Sequence, residues 1–300
     1  MSYYNAYSAA MERRFGKKVY KLAVDAGMSC PNRDGTIDSR GCSFCLNGSG
    51  DFARHGTDIN AQLDSAKALV SDKYSGNSYI AYFQSYTNTY APLSRLRELY
   101  DSVALRDDIV GIAIATRPDC LPQEVVDYLA ELSRKKAVWV ELGLQTIHES
   151  TAEAIRRGYK LPVFDDAMAR LRAAGLETVV HVILGLPGET REMMLRTVNY
   201  VAHSGADGIK LQLLHVLEGT DIAEDYKAGK FRVMDMDEYV FLLEDCIRLL
   251  PKDMVVHRLT GDGSKKSLIA PMWSANKKRV LNAITTAFKR DNVIQGEKYE

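Results

Sequence analysis

The sequence predicts an α/β protein built on a parallel sheet that rolls into an open or closed barrel. Three observations predict it. Six β-branched apolar runs alternate with six amphipathic stretches along the chain. Two of the runs, 110–115 and 178–184, are apolar almost throughout, as expected of strands covered on both faces. Parallel neighbours cannot be joined by tight turns, and the stretches between the runs have the length and periodicity of helical crossovers. In a barrel of this kind the active site lies at the C-terminal ends of the strands, where the βα loops gather. A doubly wound open sheet satisfies the same periodicity.

Taken in order, the strands are expected at 19–24, 79–83, 110–115, 137–142, 178–184 and 209–214, and the helices at 60–73, 92–105, 122–135, 164–174, 189–204 and 237–250. Helix 122–135 shows the pattern well. Pro122 suits a helix start, and Val125, Val126, Leu129 and Leu132 recur at helical spacing. Gly175 is placed to stop the following helix. No repeat or low-complexity linker interrupts the series.

The 300 residues are 46% hydrophobic and 26% charged, which sets disordered and fibrous classes aside. No stretch approaches the roughly 20 continuous apolar residues of a membrane span. The first ten residues lack a basic segment followed by an apolar core, so the expectation is a cytoplasmic protein with no membrane partner. An odd count of five cysteines, without an export signal, argues against a disulfide framework.

Net charge is zero, but its distribution is uneven. Arg13, Arg14, Lys17, Lys18 and Lys21 face only Glu12. Arg258, Lys265, Lys266, Lys277, Lys278, Arg279, Lys289 and Arg290 face only Asp262. The stretch 218–253 is acidic. These boundaries divide the chain into a basic N-terminal segment (1–18), a core (19–253) and a basic C-terminal extension (254–300). With Trp273 beside it, the basic extension fits a phosphate-tracking surface carrying a stacking aromatic. It equally fits a solvated amphipathic helix whose Val280, Leu281, Ile284 and Phe288 pack on the core.

Three cysteines, Cys30, Cys42 and Cys45, fall within sixteen residues and directly follow the first expected strand. All three thiols therefore share one βα loop at the barrel mouth. Glycines at 35, 41, 48 and 50 let such a loop wrap a compact object. Two sites fit these thiols. One is structural zinc, with His55 as fourth ligand. The other is an iron–sulfur cluster with three protein thiolates and one iron left for a small molecule. The position at the catalytic end of a barrel, and the lack of a second close pair of ligands, favour the cluster.

The stretches 27–35 (Gly-Met-Ser-Cys-Pro-Asn-Arg-Asp-Gly), 41–45 (Gly-Cys-Ser-Phe-Cys) and 82–90 (Tyr-Phe-Gln-Ser-Tyr-Thr-Asn-Thr-Tyr) resemble the radical S-adenosylmethionine (SAM) superfamily, and within it the YtqA/YhcC-like group. The resemblance runs from about Val19 to Leu214. The stretch 115–119 (Ala-Thr-Arg-Pro-Asp) is similar to the Glu-Thr-Arg-Pro-Asp of Elongator-catalytic-subunit-type members, with Ala115 in place of the acid. The turn at 185–190 (Gly-Leu-Pro-Gly-Glu-Thr) resembles that of coproporphyrinogen-dehydrogenase-like members, whose glycines admit adenine close to the backbone.

This resemblance implies a partial (β/α)6 TIM-like barrel with a small C-terminal extension. It implies a [4Fe–4S] cluster on Cys30, Cys42 and Cys45 and SAM as cofactor. SAM-facing positions follow residue by residue. Gln84, Ser85, Thr87 and Asn88 stand where members carry Gly-Gly-Glu near the SAM amino group. Arg117 ends the third strand. Glu141 and Gln145 fall where ribose and methionine are contacted, and Arg157 matches an arginine near the SAM carboxylate. His181 stands where members often have an acid. Gln212 and His215 end the sixth strand. On the residues alone, Glu141 and Arg157 could instead be a structural ion pair, His181 an interior histidine, and Gly185 and Gly188 a tight turn. Cys246 reads as core. Cys120 is either a plain buried thiol or a hydrogen-atom donor.

The resemblance further implies reductive SAM cleavage to a 5′-deoxyadenosyl radical, with a flavodoxin- or ferredoxin-type electron donor. It points to tRNA as partner and to wobble-uridine modification, from 5-carboxymethylaminomethyl-(2-thio)uridine to 5-aminomethyl-(2-thio)uridine. Two other functions fit the residues: a radical SAM enzyme acting on a small metabolite or tetrapyrrole, and a zinc-stabilised RNA-binding module without catalysis.

Overall fold

The computed structural model describes residues 3–46, 56, 58–261 and 266–300. Its main sheet is curled and wholly parallel, and its strands follow in chain order: β1 (Tyr20–Val24), β2 (Tyr79–Phe83), β3 (Ile109–Thr116), β4 (Ala137–Gln145), β5 (Glu177–Leu184) and β6 (Gly208–Leu213). After a two-residue strand outside the sheet, β7 (Val216–Leu217), the seventh member β8 (Val255–Arg258) pairs with β6. Neighbours in sequence order with no reversal make a partial TIM-like barrel, and the doubly wound alternative falls away.

The crossovers are α2 (Ile59–Val70), α3 (Leu93–Ala104), α4 (Gln123–Ser133), α6 (Leu161–Ala173), α7 (Arg191–His203) and α9 (Met236–Leu249). All six expected strands and helices are present, with ends within three residues of expectation. Local chemistry explains the ends. The Asp58 carboxylate accepts from the Asn60 and Ala61 N–H groups at the start of α2, and Asp235 with Glu238 forms a capping box on α9. Further helices stand outside the alternation: α1 (Tyr7–Phe15), α5 (Glu149–Ala154), α8 (Asp221–Lys227) and α10 (Lys277–Arg290). No described helix is long and apolar enough to cross a membrane.

β8 corrects the expected count of six strands. Its four residues, Val-Val-His-Arg, carry too little apolar pattern to be seen in sequence. The free edge of β6 selects them. Ala6 bridges Val256 in parallel, and the Val256 N–H donates to the Asn5 carbonyl at 2.9 Å. The Asn5 N–H donates to the Gln295 side chain at 2.7 Å. Segments 1–18 and 254–300 therefore meet at the open edge of the sheet.

Period-two alternation sorts the strand residues. Leu22, Val24, Ile112, Ile114, Val140, Leu142, Val180, Val182, Ile209 and Leu211 join the main core against the helices, together with Cys246. Ile80, Tyr82, Ala113, Ala115, Trp139 and Val179 form a second cluster on the concave side, plugged by Ala10 and Met11 of α1. Gly111 makes room there, because a Cβ at that position would stand 2.6 Å from the Trp139 ring. The residues that follow Trp139 and Val179 by two on the same face are Glu141 and His181.

Candidate active site

The cysteine loop connects β1 to α2 and is folded by its own backbone. The Arg33 and Asp34 N–H groups donate to the Cys30 carbonyl, and Gly41 N–H donates to Asn32 at 2.7 Å. The Cys45 N–H closes on the Cys42 carbonyl at 3.0 Å, which turns these two thiols onto one side. The fully buried Asn32 then staples the loop to the β4–α6 connection. Its amide donates to the Arg156 carbonyl at 2.7 Å and the Arg157 carbonyl at 3.2 Å, and lies 3.5 Å from Cys42 Sγ. Arg156 returns a hydrogen bond from Nε to the Gly41 carbonyl at 2.9 Å.

Cys30, Cys42 and Cys45 all line one cavity of about 360 Å³ at the C-terminal ends of the strands. Burial pushes the Cys42 thiol up to about 11, with Cys45 adding to it; Cys45 is also raised by burial, offset in part by Arg33. Thiols held this way ionise only when a cation repays the cost, as a metal does. Among the described residues, no three His, Cys, Asp or Glu side chains close on a single metal ion. A four-iron cluster asks for something different, one thiolate on each of three separate irons. His55, the proposed zinc ligand, lies outside the described residues, as do Gly48, Gly50, Asp262 and Lys265.

The structure divides the sequence-derived SAM positions. Gln84, Thr87, Arg117, Glu141, Gln145, Arg157, His181 and Gln212 line the same cavity as the cysteines, together with His215. Ser85 and Asn88 do not. Both are fully buried, and the Asn88 amide donates to the Phe83 and Ala115 carbonyls, tying β2 to β3.

Gln145 is the most ligand-like of the rest. It sits at a register shift between β4 and β5 with φ at +68°, and its buried Oε1 has no hydrogen-bond partner among the described residues. Strain of this kind in a non-glycine residue collects at functional sites. Arg157, by contrast, is 2% exposed, and its guanidinium donates to the Tyr159 and Thr146 carbonyls. It holds the loop before it could hold a ligand. Arg117 pairs with Asp119 through two hydrogen bonds and donates to the Arg157 carbonyl. Cys120 is buried beside Asp119 and raised to about 12, first by burial. Gly185 and Gly188 have φ of +90° and +82°, so the turn itself requires them.

Glu141 is not paired with Arg157. It is fully buried and meets Lys21 at 3.0 Å, the Lys210 ammonium, and His181 Nε2 at 2.9 Å. Lys210 also donates to the Tyr82 hydroxyl at 2.9 Å. Burial alone would lift the Glu141 carboxyl, but Lys21, Lys210 and His181 override it and hold it well below the usual range. His181 is lowered to about 4, by burial first and then by Lys210, so it is a neutral imidazole that donates to Glu141. Burial lowers Lys210 to about 7, with Glu141 opposing and Lys21 and Arg258 assisting.

Sequence reading singled out Glu141 and His181 but missed Lys21, Lys210 and Arg258 around them. Lys21 was grouped with a basic surface segment and Arg258 with a basic tail; the structure takes both to the barrel interior, with Arg258 on the cavity wall. A usable signal existed in Lys210, which alternates with Ile209 and Leu211 and therefore shares a face with Gln212. Trp273 is corrected as a stacking platform. Its indole N–H donates to the Met234 carbonyl and its ring packs on Tyr239. The remaining basic residues stay outside: Lys277, Lys278, Arg279, Lys289 and Arg290 are exposed on α10, while Val280, Ile284, Ala287 and Phe288 are buried beneath them.

The profile of the Radical SAM superfamily matches residues 39–201, and that of the Radical_SAM C-terminal domain matches residues 206–290. The uncharacterized protein YtqA of Bacillus subtilis is 46% identical over 299 residues, covering 99% of this chain and 93% of its own. The tRNA uridine(34) acetyltransferase of Methanocaldococcus jannaschii is 28% identical over 156 residues, 51% of this chain and 28% of its own. The fold resembles that of Methanocaldococcus infernus Elp3 with an N-terminal deletion, at TM-score 0.69 and 16% identity over 92% of this chain and 64% of that one.

Proposed function

The chain belongs to the radical SAM superfamily of enzymes, and from that premise we propose that it is a tRNA-modifying member acting on the wobble uridine. In this reading Cys30, Cys42 and Cys45 would hold a [4Fe–4S] cluster, and SAM would bind beside it in the same cavity. The observation that carries it is the shared cavity, which gathers all three thiols with Gln84, Thr87, Gln145 and Gln212 at the catalytic end of the barrel.

When bound, the cluster and SAM would supply the chemistry that takes a hydrogen atom from an unactivated carbon. The chain's own residues then do four things. Asn32 and Arg156 hold the cysteine loop against the β4 connection. Arg33, whose side chain also donates to the Cys45 carbonyl, sets a positive charge beside the thiolates. Gln145 would offer SAM an acceptor that has no partner among the described residues. The apolar concave cluster below, with Trp139 and Ile80 packed on α1, keeps water from entering underneath.

The substrate follows from two supports. One is the likeness over half the chain to a tRNA uridine(34) acetyltransferase. The other is the exposed basic face of α10, suited to phosphates. The reaction proposed is the conversion of 5-carboxymethylaminomethyl-(2-thio)uridine to 5-aminomethyl-(2-thio)uridine: the carbon beside the side-chain nitrogen is oxidised by two electrons to an imine with SAM as the oxidant, consumed to methionine and 5′-deoxyadenosine, and water then breaks the C–N bond and releases the two carbons as glyoxylate. A flavodoxin- or ferredoxin-type protein supplies electrons, and the site of action is the cytoplasm, with tRNA. The test is anaerobic reconstitution with SAM, a reductant and tRNA carrying the substrate nucleoside. Nucleoside mass analysis should show 5-aminomethyl product appearing in step with 5′-deoxyadenosine. An unchanged nucleoside beside normal SAM cleavage refutes the substrate.

A further inference from the structure

The loop that follows β2 inverts the usual order of burial. Ser85, Thr87, Asn88 and Thr89 are at most 3% exposed, whereas the large ring between them, Tyr86, is half-buried and stands on the wall of the cysteine-lined cavity. The backbone around it is pinned. The Thr87 N–H donates to the Ser29 carbonyl at 3.2 Å, and the Asn88 N–H to the Ala115 carbonyl at 3.1 Å. Tyr86 itself takes φ of +59°, a left-handed conformation that favours glycine and that a bulky residue adopts only where its surroundings impose it. Three other phenyl rings line the cavity among the described residues, and each is engaged. Tyr82 lies beneath the Lys21 and Lys210 ammonium groups. Tyr159 is met by the Arg117 and Arg157 guanidiniums, and its hydroxyl donates to the Gly143 carbonyl. Phe44 packs on the apolar cluster of Ile155 and Ile183. Tyr86 meets one cation, the Arg33 guanidinium 5.9 Å from its ring centroid, and its hydroxyl has no hydrogen-bond partner among the described residues.

We propose that Tyr86 is the platform on which the uracil ring of the substrate nucleotide stacks, with Arg33 backing the tyrosine ring. The identity of the heterocycle rests on the wobble-uridine reading. A half-exposed aromatic ring in a wet cavity leaves a flat apolar face uncovered, and the π-face of a base covers such a face whatever its edges carry. Position decides for the substrate over the adenine of SAM. The cavity floor is formed by Tyr82, Ala115 and Glu141, all buried, while Tyr86 stands at its open side, where a base carried on a polymer can arrive. Arg33 is fixed by donating to the Cys45 carbonyl at 2.5 Å, so the platform is tied to the cysteine loop. The strained backbone sets the plane of the ring, and the stacked base takes its plane from it.

The test uses the reconstituted holoenzyme with SAM and no reductant, so that nothing turns over. Titration calorimetry compares 5-carboxymethylaminomethyluridine with its 5,6-dihydro derivative, which keeps the hydrogen-bonding groups of the base but is no longer flat. The planar nucleoside should bind roughly tenfold tighter, the worth of one stacked base. Y86F should keep this preference. Y86G should lose it while keeping its fold and its SAM affinity, since glycine takes φ of +59° without strain. If Y86G does not fold, Y86L, apolar but not flat, takes its place and should also lose the preference. Equal binding of the two nucleosides to the wild type overturns the proposal, as does a preference that survives in Y86G or Y86L. So does a preference lost in Y86F, which would assign it to the hydroxyl, or a loss of SAM binding in place of the nucleoside preference, which would make the ring a wall of the SAM pocket. If the preference behaves as expected while tRNA is not converted, the platform stands and the wobble-uridine reaction falls. If Y86G converts tRNA as fast as the wild type, the platform falls and the reaction stands.

Discussion

Replacing Glu141 by Gln tests the interior charge set most directly. The substitution keeps the volume and removes the charge from beneath Lys210, which is 3% exposed, and Lys21, which is 21% exposed. Removing one partner of a buried pair costs about 3–5 kcal/mol, because the other charge is left uncompensated. At about 2.1 cal/mol/K per residue, the unfolding entropy of 300 residues is about 0.6 kcal/mol/K, so the melting temperature should fall by about 5–8 °C. Circular dichroism melts of the apoprotein at pH 6, below the Lys210 value of about 7 so that the pair is charged, read this. The double variant E141Q/K210M should melt above E141Q alone, since Lys210, the more deeply buried of the two ammonium groups left by Glu141, is then removed. A drop in E141Q of less than about 2 °C, or a double variant less stable than the sum of the two single ones, refutes the coupling.

Other outcomes follow from the same geometry. Replacing Cys30, Cys42 or Cys45 by Ser should abolish the absorbance near ~400 nm of the anaerobically reconstituted protein, whereas C246S, buried in α9, should keep it. Asn32→Ala leaves the Arg156 carbonyl without its donor, while the Arg157 carbonyl keeps the one from Arg117; it should cost about 1–3 kcal/mol in denaturant unfolding and lower the iron bound per chain. Lys210 carries a sign that can be checked. Its folded value of about 7 lies below the ordinary lysine range, so between these values the unfolded chain binds the extra proton, and the stability of the wild type should rise from pH 7 toward pH 9 relative to K210M. Parallel curves for the two proteins would remove Lys210 from the set.

The elements most legible in sequence were those dictated by local chemistry. Pro122 and the spacing of Val125, Val126, Leu129 and Leu132 mark α4, and β-branched runs mark six of the seven strands in the sheet. The cysteine spacing placed three thiols on one loop, and the loop's position after β1 put it at the catalytic end. All of this needs only a few neighbouring residues and a period.

What the tertiary structure decided concerns which groups meet across the barrel. Parity puts Lys21, Glu141, His181 and Lys210 each on one face of its own strand, but only the curl of the sheet brings four different strands to a single point. A lysine next to apolar residues reads as an ordinary solvated cation until the sheet closes around it. Loop path likewise separates Gln84 and Thr87, on the cavity wall, from Ser85 and Asn88, buried behind it, though all four are neighbours in sequence. β8 became a strand because β6 offered it an edge, and Trp273 lost its place as a stacking surface to the Met234 carbonyl. Sequence alone determined the family, the scaffold and the three thiols, since spacing and period are local. The charge inside the barrel was set by contacts between residues as far apart as Lys21 and Arg258, which no local pattern encodes.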